Sequence, residues 1–281
     1  MARAHSSAFT SGWRVGSVDA HFGYFSGGWR LKAQHHGKAE LTAVPNIVLR
    51  ISWSGENDLC CRYIPEDTKG PMSKRFAPAT DRNKHPLLTV LKSHLPDSGT
   101  VLEVAAGTGQ HAVFFASQLA PRLWLPTDQS STNVASITSW AADLPAPNLL
   151  PAQMLDVMDD EWLVERNALS APVSAVVNIN MIHIAPWECC IALFRGAARM
   201  LEAGGVVLLY GPFKQGQKNT APSNIAFDLQ LKAQNIQWGV RELEAVLTVA
   251  IDTGFECREV IAMPANNLAV IFSREKLSSP S

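Results

Sequence analysis

Three groups of residues in this sequence have the types and spacing for binding chemistry. The first is Thr100-Val101-Leu102-Glu103-Val104-Ala105-Ala106-Gly107-Thr108-Gly109-Gln110-His111, an apolar run closed by an acid, a glycine turn and a helix-like stretch. Gly107 and Gly109 can take torsions closed to other residues, and without a Cβ they let a ligand approach the main chain. A helix starting near Gln110 aims its unpaired amides and positive dipole end at that ligand. The carboxylate of Glu103 beside the loop suits a positively charged ligand better than a pyrophosphate. A Gly-x-Gly turn is also a plain strand-to-helix connection, so the loop alone does not decide.

The second group is acidic. Asp128 follows Gly107 by twenty-one residues and closes the next apolar run, the place where a carboxylate accepts hydrogen bonds from ribose hydroxyls. Asp156, in Leu155-Asp156-Val157, ends a third run, where its side chain or the Val157 amide can read an adenine edge. A helix-cap or turn aspartate is the alternative for each. The third group lies on the fourth run, which ends Asn178-Ile179-Asn180-Met181-Ile182-His183. His183 has a natural route to acid/base work because an imidazole titrates near neutrality. A histidine bonded to a loop carbonyl is the competing reading, and His111, in a first helical turn, reads as packing or capping.

The elements that must position these residues alternate. A helix is expected over Pro86–Leu95, with Pro86 in its first turn, then a strand at 100–105, a helix at 110–119, a strand at 122–126, a helix at 132–144 and strands at 149–154 and 174–179. A helix over 186–201 stops at Gly204-Gly205, and a strand at 206–210 runs into Gly211-Pro212-Phe213 and a long polar segment read as a loop. Alternation of this kind predicts an α/β fold, a mostly parallel Rossmann-like sheet with helices on both faces. After a helix at 240–253, the runs 256–262 and 268–273 are too close for a crossover, so the sheet should end in an antiparallel strand. Parallel sheets bind ligands outside the carboxyl ends of their strands, where Asn178, Asn180, His183 and Tyr210 fall.

Composition narrows the class. With 281 residues and 47% hydrophobic content the chain can bury a sizeable core, and a formal charge of −1 provides no global field for nucleic acid or anionic lipid. The five cysteines fall as Cys60-Cys61, Cys189-Cys190 and Cys257, which matches neither a disulfide framework nor a usual zinc spacing, so reduced thiols and no metal site are expected. No apolar run approaches the ~20 residues of a membrane span and no signal-peptide core is visible, which favours a cytoplasmic protein. Residues 1–71 are rich in Ser, Gly, Trp and His and read as a poorly structured extension, with 72–281 as the folded domain. The first 38 residues carry five Lys or Arg against the single acid Asp19, a composition faintly like a mitochondrial transit peptide.

Glu103 to Gly109, Asp128, Asp156 and the antiparallel ending together resemble the class I S-adenosylmethionine-dependent methyltransferases. More narrowly, Arg75-Phe76-Ala77-Pro78-Ala79-Thr80-Asp81-Arg82-Asn83, Gly107-Thr108-Gly109-Gln110-His111, Asn180-Met181-Ile182-His183-Ile184, Tyr210-Gly211-Pro212-Phe213 and Met263-Pro264-Ala265-Asn266-Asn267-Leu268 are similar to the methyltransferase-like 26 family, over about residues 72–274. The resemblance implies a methyltransferase that uses S-adenosylmethionine. Glu103 and the loop of Gly107 and Gly109 would hold its methionine end, Asp128 its ribose, and Asp156 with Val157 its adenine, with Ala105 and Asn178 also among the cofactor-binding residues. Arg75, Asn83, Asn180, Tyr210 and Asn224 are the candidates for acceptor contacts, and His183 for a base if one is used. The family supplies no acceptor; the charge balance favours a small molecule, with a protein second. Two other readings stand beside this one: an NAD(P)-binding oxidoreductase, since Gly107-x-Gly109-x-x-Ala112 with Asp128 also fits that fingerprint, and a cofactor-binding module without catalysis.

Overall fold

The computed structural model describes residues 11–15, 18–25, 28–32, 39–42, 48–53, 59–63, 74–166, 169–219 and 221–275. The chain divides into two units, Met1–Pro71 and Met72–Ser281. In the first, β1 (Ser11–Val15), β2 (Val18–Phe25) and β3 (Gly28–Lys32) form one antiparallel sheet, and β4 (Ala39–Thr42), β5 (Val48–Trp53) and β6 (Leu59–Tyr63) form another. Much of the basic N-terminal stretch, residues 1–10 and 33–38, lies outside the described residues.

The second unit opens with α1 (Pro78–His94) and continues through β7 (Thr100–Val104), α2 (Gln110–Gln118), β8 (Leu123–Asp128), α3 (Ser131–Asp143), β9 (Gln153–Met154), α4 (Leu163–Arg166) and β10 (Val173–Ile179). A 3-10 turn at Met181–His183 leads to α5 (Trp187–Met200), β11 (Val206–Gly211), β12 (Phe213–Gln215), β13 (Lys218–Asn219), α6 (Pro222–Gln234) and β14 (Arg241–Glu242). The end is α7 (Leu243–Asp252), β15 (Phe255–Met263) and β16 (Asn267–Arg274).

Seven strands make one sheet in the order β15-β16-β11-β10-β7-β8-β9. The strands from β9 to β11 are parallel, and β16 is antiparallel to both of its neighbours, as the sequence led one to expect. Side chains alternate across each strand, so the two faces pack separately. Leu102, Val104, Val176, Val207 and Phe272 meet α5 and α7 on one face; Val101, Trp124, Val177, Leu208 and Ile271 meet α1 and α2 on the other. Strand order reverses between β7 and β10, and their carboxyl ends open the crevice in which such sheets hold ligands.

The six strands of the first unit fall where the sequence suggested little structure, and in the second unit two elements near the site differ from their sequence reading. Helix α1 starts at Pro78, eight residues before Pro86, and Pro86 lies inside it. Pro78, at the start of the helix, has no N–H to leave unpaired, and Thr80 and Asn83 are buried in the added turns. The long polar segment after Phe213 contains α6, whose buried positions are Asn224, Asp228 and Leu231. Their spacing is helical, but two of the three are polar, so an apolar-period test passes over them.

Candidate functional site

The turn from β7 into α2 is built on left-handed backbone. Ala105, Gly107 and Gly109 have φ of 58°, 60° and 90°. A Cβ on Gly109 would stand 2.6 Å from the Cα of Ile137, so α3 packs too closely there for any side chain. A Cβ on Gly107 would meet nothing within 4 Å, so its Cα faces open space.

Asp128 joins this loop to the neighbouring strand. Its Oδ2 accepts the Gly107 N–H at 2.9 Å, and its Oδ1 accepts the Ser130 N–H at 2.9 Å and the Asn133 side-chain amide at 3.0 Å. A carboxylate offers about four acceptor positions, so one remains on Oδ2 beside the glycine turn. Leu155 N–H bonds to the Asp128 carbonyl at 3.1 Å, which brings Asp156 and Val157 alongside. The Asp156 carboxylate caps its own turn by accepting the Met158 N–H, and Val157 is buried. On the other side of β7, Asn178 donates to the Val104 carbonyl at 3.0 Å. Its Oδ1 is buried and has no hydrogen-bond partner among the described residues, an orphaned acceptor at the carboxyl end of β10.

Glu103 has a different partner from the one its position suggested. It is 1% exposed, and its Oε2 accepts the indole N–H of Trp124 at 2.7 Å. Burial pushes its pKa up to about 8, against the opposing Trp124 hydrogen bond and with a smaller push from Asp128. At neutral pH the side chain is mostly an uncharged acid behind the loop, rather than a free anion in the crevice.

The residues suggested for acceptor contacts separate into three places. Asn83 and Tyr210 come together: Asn83 Oδ1 accepts from His111 Nε2 at 2.7 Å, while the Tyr210 hydroxyl is bonded by Asn83 and by Asn267 Nδ2, the latter at 3.1 Å. Asn224 lies close by, donating to the Asn266 carbonyl at 3.0 Å. Arg75 is elsewhere, above α3, where its guanidinium donates to Asn133 Oδ1. Asn180 adopts φ 65° and bonds by its backbone to the carbonyl of Tyr210.

His183, the suggested base, is fully buried. Its Nδ1 accepts the Arg241 N–H at 3.3 Å, so the ring proton sits on Nε2, which points at Gly211. Burial, then the Arg241 charge, pull its pKa down to about 3 against the opposing effect of Asp228. In this arrangement the ring fills the junction of β11, β12 and β14 and offers no free lone pair to the crevice.

The match that assigns the chain is at the level of sequence. The family described as "Protein of unknown function (DUF938)" covers residues 74–274. The chain belongs to this family. Solved structures similar to it include the S-adenosylmethionine-dependent methyltransferase SibL, with 17% identity over 70% of this chain and 56% of that one at a TM-score of 0.57. An O-methyltransferase family protein from Burkholderia thailandensis has 17% identity over 71% and 58%, TM-score 0.57. Human N-acetylserotonin methyltransferase, solved in complex with S-adenosylmethionine, has 14% identity over 70% and 53%, TM-score 0.58. The DUF938 chain thus has the methyltransferase fold and spans little more than half the length of these neighbours.

Two residues around the glycine turn carried no signal in the sequence: Asn133, which holds Asp128, and Trp124, which holds Glu103; Gln110, noted only as a helix start within the glycine motif, accepts by its Oε1 from Ala77 N–H at 2.6 Å and Thr108 Oγ1 at 3.1 Å. Only the position of Asn133, in the first turn of the helix that follows Asp128, could have pointed to it. A cavity of about 400 Å³ bounded by α1, α2 and the end of α3 includes Phe76, Lys84, Phe114 and Trp140 but none of Asp128, Asp156 or Asn178. The donors and acceptors around Asp128 and the glycine turn lie outside that cavity. Among the described residues no three His, Cys, Asp or Glu side chains gather as metal ligands, and no helix is long and apolar enough to cross a membrane.

Proposed function

We propose that this protein is an S-adenosylmethionine-dependent methyltransferase acting on a small-molecule acceptor, consistent with its narrower resemblance to the methyltransferase-like 26 family. The observation that carries the reading is the pairing of Asp128 with the Gly107 N–H at the mouth of the crevice, one carboxylate position still open, next to a glycine face with no obstruction. Asp128 would take a ribose hydroxyl, Asp156 and Val157 the adenine, and the orphaned Oδ1 of Asn178 the cofactor's ammonium. Glu103 supports the loop from behind through Trp124. When bound, the cofactor supplies a sulfonium methyl open to in-line attack. The chain's tasks are then to align the acceptor and to exclude water. His183 fixes the wall of the acceptor side against Gly211, and the acceptor's own acidity, rather than an enzymic base, governs its proton loss.

The nicotinamide reading loses ground on topology: a dinucleotide sheet continues in parallel, whereas here β16 is inserted antiparallel between β11 and β15. A thermal-shift series on the purified protein tests the choice. S-adenosylmethionine and S-adenosylhomocysteine should raise the melting temperature with increasing concentration, and NADH and NADPH should not. Stabilisation by a nicotinamide cofactor alone would overturn the reading. Transfer of label from methyl-labelled S-adenosylmethionine into a small-molecule extract then separates an enzyme from a silent binding module.

A further inference from the structure

We infer that Arg75 and Asn133 form a positioning arm for Asp128, which sets the protein's preference for an intact ribose; this rests on the cofactor reading above. Asn133 stands between a cation and an anion. Its Oδ1 accepts from the Arg75 guanidinium at 2.5 Å and its Nδ2 donates to Asp128 Oδ1 at 3.0 Å. Arginine has only donors and an ionised carboxylate only acceptors, so this amide can face just one way.

The interposed amide has a consequence for Asp128. An arginine paired directly with a carboxylate tends to engage both oxygens at once. Asn133 instead engages Oδ1 alone, which also accepts the Ser130 N–H at 2.9 Å. The position left over is therefore on Oδ2, the oxygen already tied to Gly107 N–H at 2.9 Å and thus held against the glycine turn. The arm turns the carboxylate so that its spare acceptor faces the crevice.

Arg75 is placed by its own backbone. Its N–H donates to Ser136 Oγ at 2.9 Å, and Ser136 Oγ donates to the Thr108 carbonyl in the glycine turn at 2.8 Å. The Arg75 carbonyl accepts the Trp140 indole N–H at 3.0 Å, and two residues later Ala77 N–H reaches Gln110. The segment that carries the guanidinium is pinned to α3 and to α2, so an exposed side chain acts from a fixed origin.

The test uses the full chain and two probes, S-adenosylhomocysteine and its 2′,3′-dideoxy analogue, titrated by calorimetry. The wild type should favour the ribose form by at least about tenfold, and Asp128→Asn should abolish that preference. Asn133→Leu should reduce the preference about fivefold or more while leaving affinity for the dideoxy analogue within about twofold, a pattern that general damage to the pocket does not give. Arg75→Ala should reduce it about two- to threefold, and Arg75→Lys should restore part of the loss by keeping a donor. Asn133→Gln offers a second, milder lesion if the leucine variant is unstable. If Asp128→Asn abolishes the preference while Asn133→Leu, Asn133→Gln and Arg75→Ala all keep it, the arm is overturned and the cofactor reading stands. If the wild type binds neither probe, both fall.

Discussion

The side-chain amide of Asn267 donates to the hydroxyl of Tyr210 at 3.1 Å, tying the first residue of β16 to the carboxyl end of β11. Asn83 serves the same hydroxyl, with its own Oδ1 held by His111 at 2.7 Å. Tyr210 is 2% exposed, so the two amides share one buried acceptor. Tyr210→Phe removes the acceptor that both amides share, although Asn267 Nδ2 keeps the Pro264 carbonyl at 3.2 Å, and should cost about 1–3 kcal/mol in urea unfolding. The Tyr210→Phe/Asn267→Leu double variant should lose less than the sum of the two singles, because the bond from Asn267 to the hydroxyl is already gone in Tyr210→Phe. Strict additivity would mean the pair is not coupled.

Gly107 and Gly109 share a left-handed backbone but not their surroundings. Alanine at Gly109 would set a Cβ 2.6 Å from the α3 backbone at φ +90°, adding overpacking of about 1–3 kcal/mol to the torsional cost. Alanine at Gly107 meets no atom within 4 Å, so only the left-handed penalty of about 1–2 kcal/mol applies. Affinity should follow the opposite course from that expected of a merely weakened fold: Gly107→Ala should weaken S-adenosylhomocysteine binding more than tenfold while it unfolds later in urea than Gly109→Ala. The reverse order of stabilities contradicts the packing of the turn against α3.

Ala105 reaches φ 58° without being glycine. Ala105→Gly relieves a left-handed strain of about 1–2 kcal/mol and adds chain entropy to the unfolded state worth roughly 0.5–1 kcal/mol. The net change should be a small stabilisation, read as a higher urea midpoint with an unchanged slope.

The glycine turn, Asp128 and the sheet ending were legible because each is written locally: torsional freedom, an acid closing an apolar run, two extended runs with a short join. Partners supplied by another part of the chain were not. Glu103 has the position of a ligand-facing acid, and nothing in its own stretch shows that Trp124, on the adjacent strand, takes its carboxyl. His183 reads as a base because an isolated imidazole titrates near neutrality, and its burial against Gly211 and Arg241 depends on segments far along the chain. Helix α6 escaped notice because its buried side is Asn224 and Asp228, residues that pack through hydrogen bonds rather than by avoiding water.

Glu103 makes the protein's stability fall as pH rises. Its carboxyl titrates near 4.5 when exposed and is raised to about 8 in the fold, by burial first, so between these values the unfolded chain gives up a proton that the folded one keeps. Stability from this group is complete below pH 4.5 and declines by about 1.4 kcal/mol per pH unit until pH passes 8. Glu103→Gln keeps an acceptor for Trp124 and removes the proton. Relative to the variant, the wild type should lose ground steadily in urea unfolding from pH 5 to pH 8; a constant difference over that range would show the carboxyl to be already ionised.

His183 and His111 act on the acid side. Burial first, with Arg241 beside one ring and Lys84 near the other, lowers their pKa values from 6.5 to about 3 and about 4. As pH falls below 6.5 the unfolded chain takes up protons that the folded rings refuse, so each histidine removes about 1.4 kcal/mol per unit, His111 down to about 4 and His183 down to about 3. The His111→Gln variant should show a shallower decline between pH 6 and 4.5, and adding His183→Gln should flatten it further. The same shift bears on mechanism. A histidine held neutral to pH 3 cannot produce an inflection near 6.5 in a pH–rate profile, so such an inflection, lost in the His183→Gln enzyme, would show that the ring leaves Gly211 and reaches the acceptor during turnover.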